Sequence, residues 1–176
     1  MQVPQLLQNY AYLFDNGPDA VLDLACGKGQ NGLYLQQHKI NTIFADINEI
    51  HIDNLINQHA IKKEHCWCAD FESASSADAS TLSKMKLQGI IVFRYLHRPL
   101  FQYLKKAIKP GGVIIYETFT EQNKAFGRPH REAFLLKKNE LKNIFSDWEI
   151  IFYFEGIKQD PDRAIAQIVC RKPNCP

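Results

Sequence analysis

The sequence predicts an α/β protein built on a mostly parallel sheet with helices packed on both faces. Three observations carry this expectation. Short apolar runs alternate with segments of helical spacing along most of the chain. A glycine-rich turn, Gly27-Lys-Gly-Gln-Asn-Gly32, joins the first apolar run to the helix after it. The last two runs, Glu149–Phe154 and Ala164–Val169, have no helical segment between them and read as an antiparallel hairpin.

The elements follow in order. Leu6, Leu7, Tyr10, Leu13 and Phe14 recur at helical spacing over residues 4–14, with Pro4 in the first turn and Asn16-Gly17-Pro18 as the stop. Residues 20–25 form a buried strand around one carboxylate, Asp23, and a helix runs from Gln30 to about His38. Asn41–Asp46 reads as the second strand. The helix Glu49–His59 then carries Ile52, Leu55, Ile56 and His59 on one face. His65–Asp70 is the third strand, and residues 72–86, rich in Ser, Ala and Lys, read as a loop or weak helix. Ile90–Phe93 is a buried fourth strand ending on Arg94. Pro99 opens a helix that turns Leu100, Phe101, Leu104, Ala107 and Ile108 inward and stops at Lys109-Pro110-Gly111-Gly112. Val113–Tyr116, the fifth strand, ends on Glu117 and Thr118. A polar stretch, 120–133, precedes a helix that Asn139 can cap and that holds Leu141, Ile144 and Phe145.

Composition narrows the function classes. With 176 residues, 45% hydrophobic and 23% charged, the chain reads as one globular domain able to bury a full core. A net charge of +2, from 21 basic and 19 acidic residues, argues against a nucleic-acid partner. No apolar run reaches membrane-spanning length and no signal peptide is visible, so no membrane partner and a cytoplasmic location are expected. Five cysteines without framework spacing then read as reduced thiols. His65-Cys-Trp-Cys68 lacks a second ligand pair at zinc spacing, and on a strand His65 points away from Cys66 and Cys68. No metal is expected.

The candidate site lies where five consecutive strands close on Asp23-Leu-Ala, Asp46, Asp70, Arg94 and Glu117. These endings line one edge of the sheet, where ligands bind in such folds. Gly27–Gly32 matches G-x-G-x-x-G, and Asp46 follows Gly29 by 17 residues, so a NAD-binding oxidoreductase is one reading. Asp23 opposes it. Four residues before Gly27, its negative charge stands where a pyrophosphate would approach. The short chain and the terminal hairpin are further departures from a dinucleotide enzyme.

Val21-Leu-Asp-Leu-Ala-Cys-Gly-Lys-Gly29 resembles the first motif of the class I S-adenosylmethionine-dependent methyltransferases, with Ala25 in place of its first glycine. Asp46, Ala69-Asp-Phe-Glu72 and Lys109-Pro-Gly-Gly112 extend the resemblance over nearly the whole chain. Tyr95-Leu-His-Arg-Pro-Leu100, Tyr116-Glu-Thr-Phe119 and Phe126-Gly-Arg-Pro129 are similar to small bacterial members of the tellurite-resistance type. The resemblance implies a three-layer Rossmann-like sandwich, with a seven-stranded, mostly parallel sheet and an antiparallel last strand. It divides residues 1–176 into an N-terminal helix (1–16), a cofactor-binding half (20–119), and a lid loop, helix and hairpin (120–176).

The cofactor so implied is S-adenosyl-L-methionine, which carries an ammonium, a carboxylate and a sulfonium but no phosphate. Asp23 would receive the ammonium, with Ala25, Cys26, Gly27, Gly29 and Asn31 shaping the turn around it. Asp46 would accept the ribose hydroxyls. Asp70 would accept from the adenine amino group, between Ile47 and Phe71, and Arg94 would complete the set. At Gln88 relatives usually carry Asp, so the structural role of that carboxylate is expected to be missing. Tyr95, His97 and Glu117 are candidates for catalysis, and Tyr95, Glu117 and Arg128 for contact with a small-molecule acceptor. A monomer or homodimer is expected. A non-catalytic module that keeps the cofactor remains the third reading, because no single residue is obligatory for the chemistry.

Overall fold

The computed structural model describes residues 2–73 and 77–174. Seven strands form one sheet: β1 (Val21–Leu24), β2 (Thr42–Asp46), β3 (Cys66–Cys68), β4 (Leu87–Phe93), β5 (Ile108–Phe119), β6 (Glu149–Lys158) and β7 (Arg163–Arg171). Their spatial order is β3-β2-β1-β4-β5-β7-β6. The pairs β3·β2, β2·β1, β1·β4 and β4·β5 are parallel. β7 runs antiparallel between β5 and β6. The strand order reverses between β1 and β4, which opens a crevice at the carboxyl ends of the strands.

The helices are α1 (Gln5–Tyr10), α2 (Gln30–Gln37), α3 (Glu49–His59), α4 (Ala77–Lys84), α5 (Phe101–Ala107) and α6 (Glu140–Ile144). Strand pleating sorts the core onto two faces. Leu6 and Leu7 of α1 and Leu35 of α2 pack with Val21, Ile91, Ile115 and Val169, while Ile52 and Leu55 of α3 pack on Phe44. On the other face Leu82, Phe101, Leu104, Leu141 and Phe145 pack with Leu22, Val92, Ile114 and Tyr116. The result is three layers, with α1–α3 and α4–α6 on opposite sides of the sheet.

Several elements differ in extent from the sequence reading. Pro4 caps α1 from outside, and a 3₁₀ turn, Ala11–Leu13, continues it. β3 stops at Cys68, so Asp70 stands beyond the strand, where the Ala69 N–H bonds the Asp46 carbonyl. Within the stretch read as a loop or weak helix, Ala77–Lys84 is a helix held by buried Ala79 and Leu82, and residues 74–76 lie outside the described residues. Pro99 sits in a 3₁₀ turn before α5. The Lys109-Pro-Gly-Gly112 stop belongs to β5 itself. There Gly111 takes a φ of +77° and a register shift separates Leu87 from Gly89 in the β4·β5 pairing.

Gln88 has a structural role of its own, different from that of a carboxylate. Its amide does structural work. Gln88 Oε1 accepts from the Asp15 N–H at 2.9 Å, and Nε2 donates to the carbonyls of Asp15 (3.1 Å) and Asp19 (2.7 Å). An amide can do this because it offers both donor and acceptor, whereas a carboxylate only accepts. The segment between α1 and β1 is thereby tied to the start of β4. Gln88→Ala should lower the unfolding free energy by about 2 kcal/mol, the scale for stranding buried hydrogen-bonding groups, and urea unfolding checks it.

Candidate cofactor and acceptor site

The site begins at the turn between β1 and α2. Asp23 faces the α2 side of the sheet and is almost wholly buried, and its Oδ2 accepts from the Gly32 N–H at 2.8 Å. Burial pushes the Asp23 pKa up to about 7; the Gly32 N–H opposes that rise and the charge of Asp46 adds to it. A Cβ at Gly32 would lie 2.3 Å from Cε1 of Phe44 and 3.0 Å from Oδ2 of Asp23, so only glycine lets the helix settle onto the carboxylate. Ala25, Gly27 and Gly29 take φ values of +54°, +54° and +76°. At Gly29 a Cβ would strike Leu55, whereas a Cβ at Gly27 would meet, among the described residues, nothing within 4 Å beyond its chain neighbours. The turn is open on the Gly27 side.

Asp46, at the end of β2, is linked directly to this turn. Its Oδ2 accepts from the Gly27 N–H at 2.7 Å and its Oδ1 from the Asn48 N–H at 2.9 Å. His51, on the first turn of α3, places Nδ1 at 3.7 Å from Asp46 Oδ1, and that buried nitrogen has no hydrogen-bond partner among the described residues. Burial, with the charges of Asp23 and Asp46, raises the Cys26 pKa and keeps the thiol protonated.

A cavity of about 520 Å³ opens above these groups, within the range of roughly 300–1,000 Å³ usual for small-molecule sites. Of the residues singled out in the sequence, Ala25, Cys26, Gly27, Asn31 and Arg94 line it, and Asp23 and Asp46 lie beneath the turn. Gly29 shapes the turn from behind, against Leu55. Lys28, Gln30, His51 and Phe93 also line the cavity, and Gln2 and Pro4 close it from the N-terminal segment. None of these six was among the site candidates read from the sequence. Lys28 and Gln30 lie inside the glycine motif and could have been noted there, but the approach of Gln2 and Pro4 is tertiary and left no local signal.

The remaining candidates spread around the strand ends. Ile47 leaves 65% of its surface exposed beside Asp46. Asp70 Oδ1 accepts from the N–H groups of Glu72 and Ser73 at 2.9 and 3.2 Å. Phe71 is turned into the core, edge-on to Trp67 with ring centroids 5.2 Å apart. His97 lines a separate hollow with Phe71, Glu72 and Tyr103. The Glu117 carboxylate is buried on the α1 side of the sheet and accepts from Gln167 Nε2. Arg128 is exposed, and its carbonyl accepts from Asn123 Nδ2.

A second cavity of about 290 Å³ meets the first at Arg94 and is walled by Tyr95, Leu96, Thr118, Phe119, Pro129 and Phe134. Of the acceptor-contact candidates, the structure brings Tyr95 to it. The Tyr95 hydroxyl bonds Glu72, and burial together with the Glu72 and Asp70 charges raises its pKa, so it remains protonated. Pro129 and Phe134 come from the segment after β5, which two unforeseen residues hold down. Asn123, buried, accepts from the Ala164 N–H. The Arg98 guanidinium grips Glu140 with two hydrogen bonds (2.6 and 2.9 Å) and donates to the carbonyls of Glu132, Ala133 and Leu135.

The turn makes two predictions. Ala25→Gly relieves a left-handed alanine and should raise the unfolding free energy by about 0.5–1 kcal/mol. Gly32→Ala should lower it by about 1–3 kcal/mol through overpacking on Phe44. Denaturant unfolding of the two variants distinguishes these opposite signs.

Comparison with known proteins agrees with this fold. No curated protein matches the sequence significantly. Among solved structures, TehB from Haemophilus influenzae superposes with a TM-score of 0.71 at 21% identity, covering 97% of this chain and 62% of that one. This chain thus spans less than two thirds of that protein's length. The N-methyltransferase NodS from Bradyrhizobium japonicum WM9 gives 0.68 at 16% identity, covering 96% and 93%. A SAM-dependent methyltransferase from Methanosarcina mazei gives 0.67 at 15%, covering 98% and 99%. At these identities the likeness establishes the fold. Residues 16–163 match the model of the family described as tellurite resistance protein TehB, whose cofactor is S-adenosylmethionine. The chain belongs to the TehB family of S-adenosylmethionine-dependent methyltransferases.

Proposed function

We propose that the protein transfers a methyl group from S-adenosylmethionine to a small-molecule acceptor, and that Asp23 is the residue that selects the cofactor. The observation that carries this reading is the buried Asp23 carboxyl under an open glycine turn. A phosphate-bearing ligand would be repelled there, while a ligand that brings an ammonium compensates the buried charge. Lys28 lines the same cavity and supplies a cation for the carboxylate of the same ligand end.

The other residues fit the rest of the cofactor. Asp46 already holds the turn through Gly27, and its remaining lone pairs can accept from the two ribose hydroxyls, with His51 Nδ1 available beside it. Exposed Ile47 offers apolar surface for the adenine, and Asp70 an acceptor for the amino group. When bound, the cofactor supplies a methyl group on a sulfonium, a good leaving group. The task left to the protein is alignment, which contributes roughly 7–11 kcal/mol in favourable cases. Arg94, shared by both cavities, stands at the junction where donor and acceptor would meet. The segment 120–136 would act as the lid over the acceptor.

Calorimetric titration with S-adenosylhomocysteine and, in parallel, NADH tests the cofactor. Binding of the first and none of the second is expected, and the reverse would overturn the reading. Asp46→Ala should weaken S-adenosylhomocysteine binding by about 1–3 kcal/mol. The pH dependence follows from Asp23. With its folded pKa raised from 3.8 to about 7, its contribution to stability is full below the unfolded value and is lost as the pH rises through about 7. Binding of an ammonium needs the ionised form, so affinity should fall about tenfold from pH 8 to pH 6. Asp23→Asn should flatten that slope while weakening binding at pH 8. Labelled methyl transfer to a panel of small acceptors, tellurite included, separates an enzyme from a module that only binds the cofactor.

A further inference from the structure

We propose that the 290 Å³ cavity beside Arg94 is the acceptor subsite, and that it takes a compact, mainly apolar anion whose charged atom, a thiolate or a carboxylate oxygen, is itself the nucleophile. This rests on the methyltransferase reading above. The walls are the first reason. Leu96, Phe119, Pro129 and Phe134 present apolar surface, and the small volume favours a single ring or a short chain.

The second reason is the hydroxyl of Thr118. The residue is 2% exposed and lines the cavity, yet its hydroxyl makes no hydrogen bond among the described residues. The hydroxyl opens onto the cavity, where it can donate to a ligand atom that accepts from it. Glu117, the neighbouring acid, projects to the opposite face of the sheet and is engaged by Gln167. It does not reach Thr118's side.

The third reason is the chemistry of the walls. Arg94 is a cation, and among the described residues the rest of the wall holds no carboxylate, imidazole or amine. The Tyr95 hydroxyl donates a hydrogen bond to Glu72 and keeps its proton. Among the described wall residues no carboxylate, imidazole or amine faces an acceptor that had to lose a proton on reaction. An anion needs no base. Its transfer forms one bond to the methyl carbon and breaks the carbon–sulfur bond, whose electron pair stays on sulfur as a neutral thioether. One negative and one positive charge disappear and no proton is released. The apolar walls strip water from the anion, and Arg94 offsets part of that desolvation.

The test uses the full chain. S-adenosylhomocysteine binding is measured first, and its absence would overturn both this inference and the proposed function. On the resulting complex, benzoate titration should show binding that Thr118→Val weakens about tenfold, the scale of one hydrogen bond to a charged group. Phe134→Ala should weaken benzoate as well, while both variants leave S-adenosylhomocysteine affinity unchanged. With S-adenosylmethionine at saturation, methylation of benzenethiol or benzoate, and of neither aniline nor benzyl alcohol, is expected, and the two active arms separate thiolate from carboxylate acceptors. Across substituted benzenethiols the midpoint of the kcat/KM–pH profile should move with the thiol pKa. The inference is overturned, with the proposed function intact, if benzoate does not bind, if Thr118→Val leaves its affinity unchanged, or if aniline or benzyl alcohol is the acceptor. It is likewise overturned if one midpoint serves every thiol, since that would place a base on the protein.

Discussion

A carboxylate held out of water beneath a glycine turn is the constraint on which the rest of this molecule depends. Among the described residues the Asp23 carboxylate touches one donor, the Gly32 N–H, and reaches it only because Gly32 has no side chain to stand between α2 and Phe44. Three consequences follow from that contact. The helix must start within the turn, so Gly29 adopts a left-handed conformation at its cap. The turn must arch toward β2, where Asp46 receives the Gly27 N–H. And the carboxyl group, penalised by burial, becomes a group whose ionisation waits on what binds above it. Sheet, turn and ligand preference are one problem in electrostatics.

The two halves of the sheet edge are built by different means. On the β1–β2 side, backbone N–H groups and two aspartates do the positioning within a stretch of some thirty residues, and the geometry is local. On the β4–β5 side the walls come from strand ends and from a segment far along the chain, held by Asn123, Arg98 and Glu140. The Arg98–Glu140 pair is partly exposed, and as a lone ion pair it would contribute little. Its weight comes from the three carbonyls the same guanidinium gathers, which turn a surface pair into a clamp on the chain. Burial raises the Glu140 pKa, but the Arg98 fork and the Lys137 N–H outweigh it and leave the carboxyl below its ordinary range.

This difference explains how much was legible in the sequence. The cofactor side could be read because glycine spacing, apolar strands and terminal aspartates are adjacent in the chain, and each has a physical reason to be where it is. Strand alternation announced a sheet covered on both faces, and the missing helix between the last two strands announced the antiparallel pairing of β6 with β7, though not the insertion of β7 beside β5. The acceptor side was largely illegible. Thr118 and Glu117 are neighbours on one strand, and nothing in their order says which faces the cavity; the pleat decides, and the charged residue that drew notice is the one turned away. Arg128 drew notice as a charge on a loop, yet its carbonyl, and not its guanidinium, is what the structure holds. Gln88 looked like the loss of a carboxylate, and its three hydrogen bonds appear only when residues 15–19 fold back over the start of β4.

The antiparallel β7 has one more consequence, for the order in which the molecule is made. Asn123 is fixed through the amide of Ala164, and the segment it anchors carries Pro129 toward the cavity wall. Some forty residues separate the anchor from its tether. A ribosome delivering the chain from its N-terminus releases the glycine turn and β1–β5 well before it releases Ala164. The cofactor half therefore has all its strands while the acceptor wall is still unmoored. The growing chain gains the place that holds the reagent first, and the place that confines its target only when the last strand slides between its neighbours.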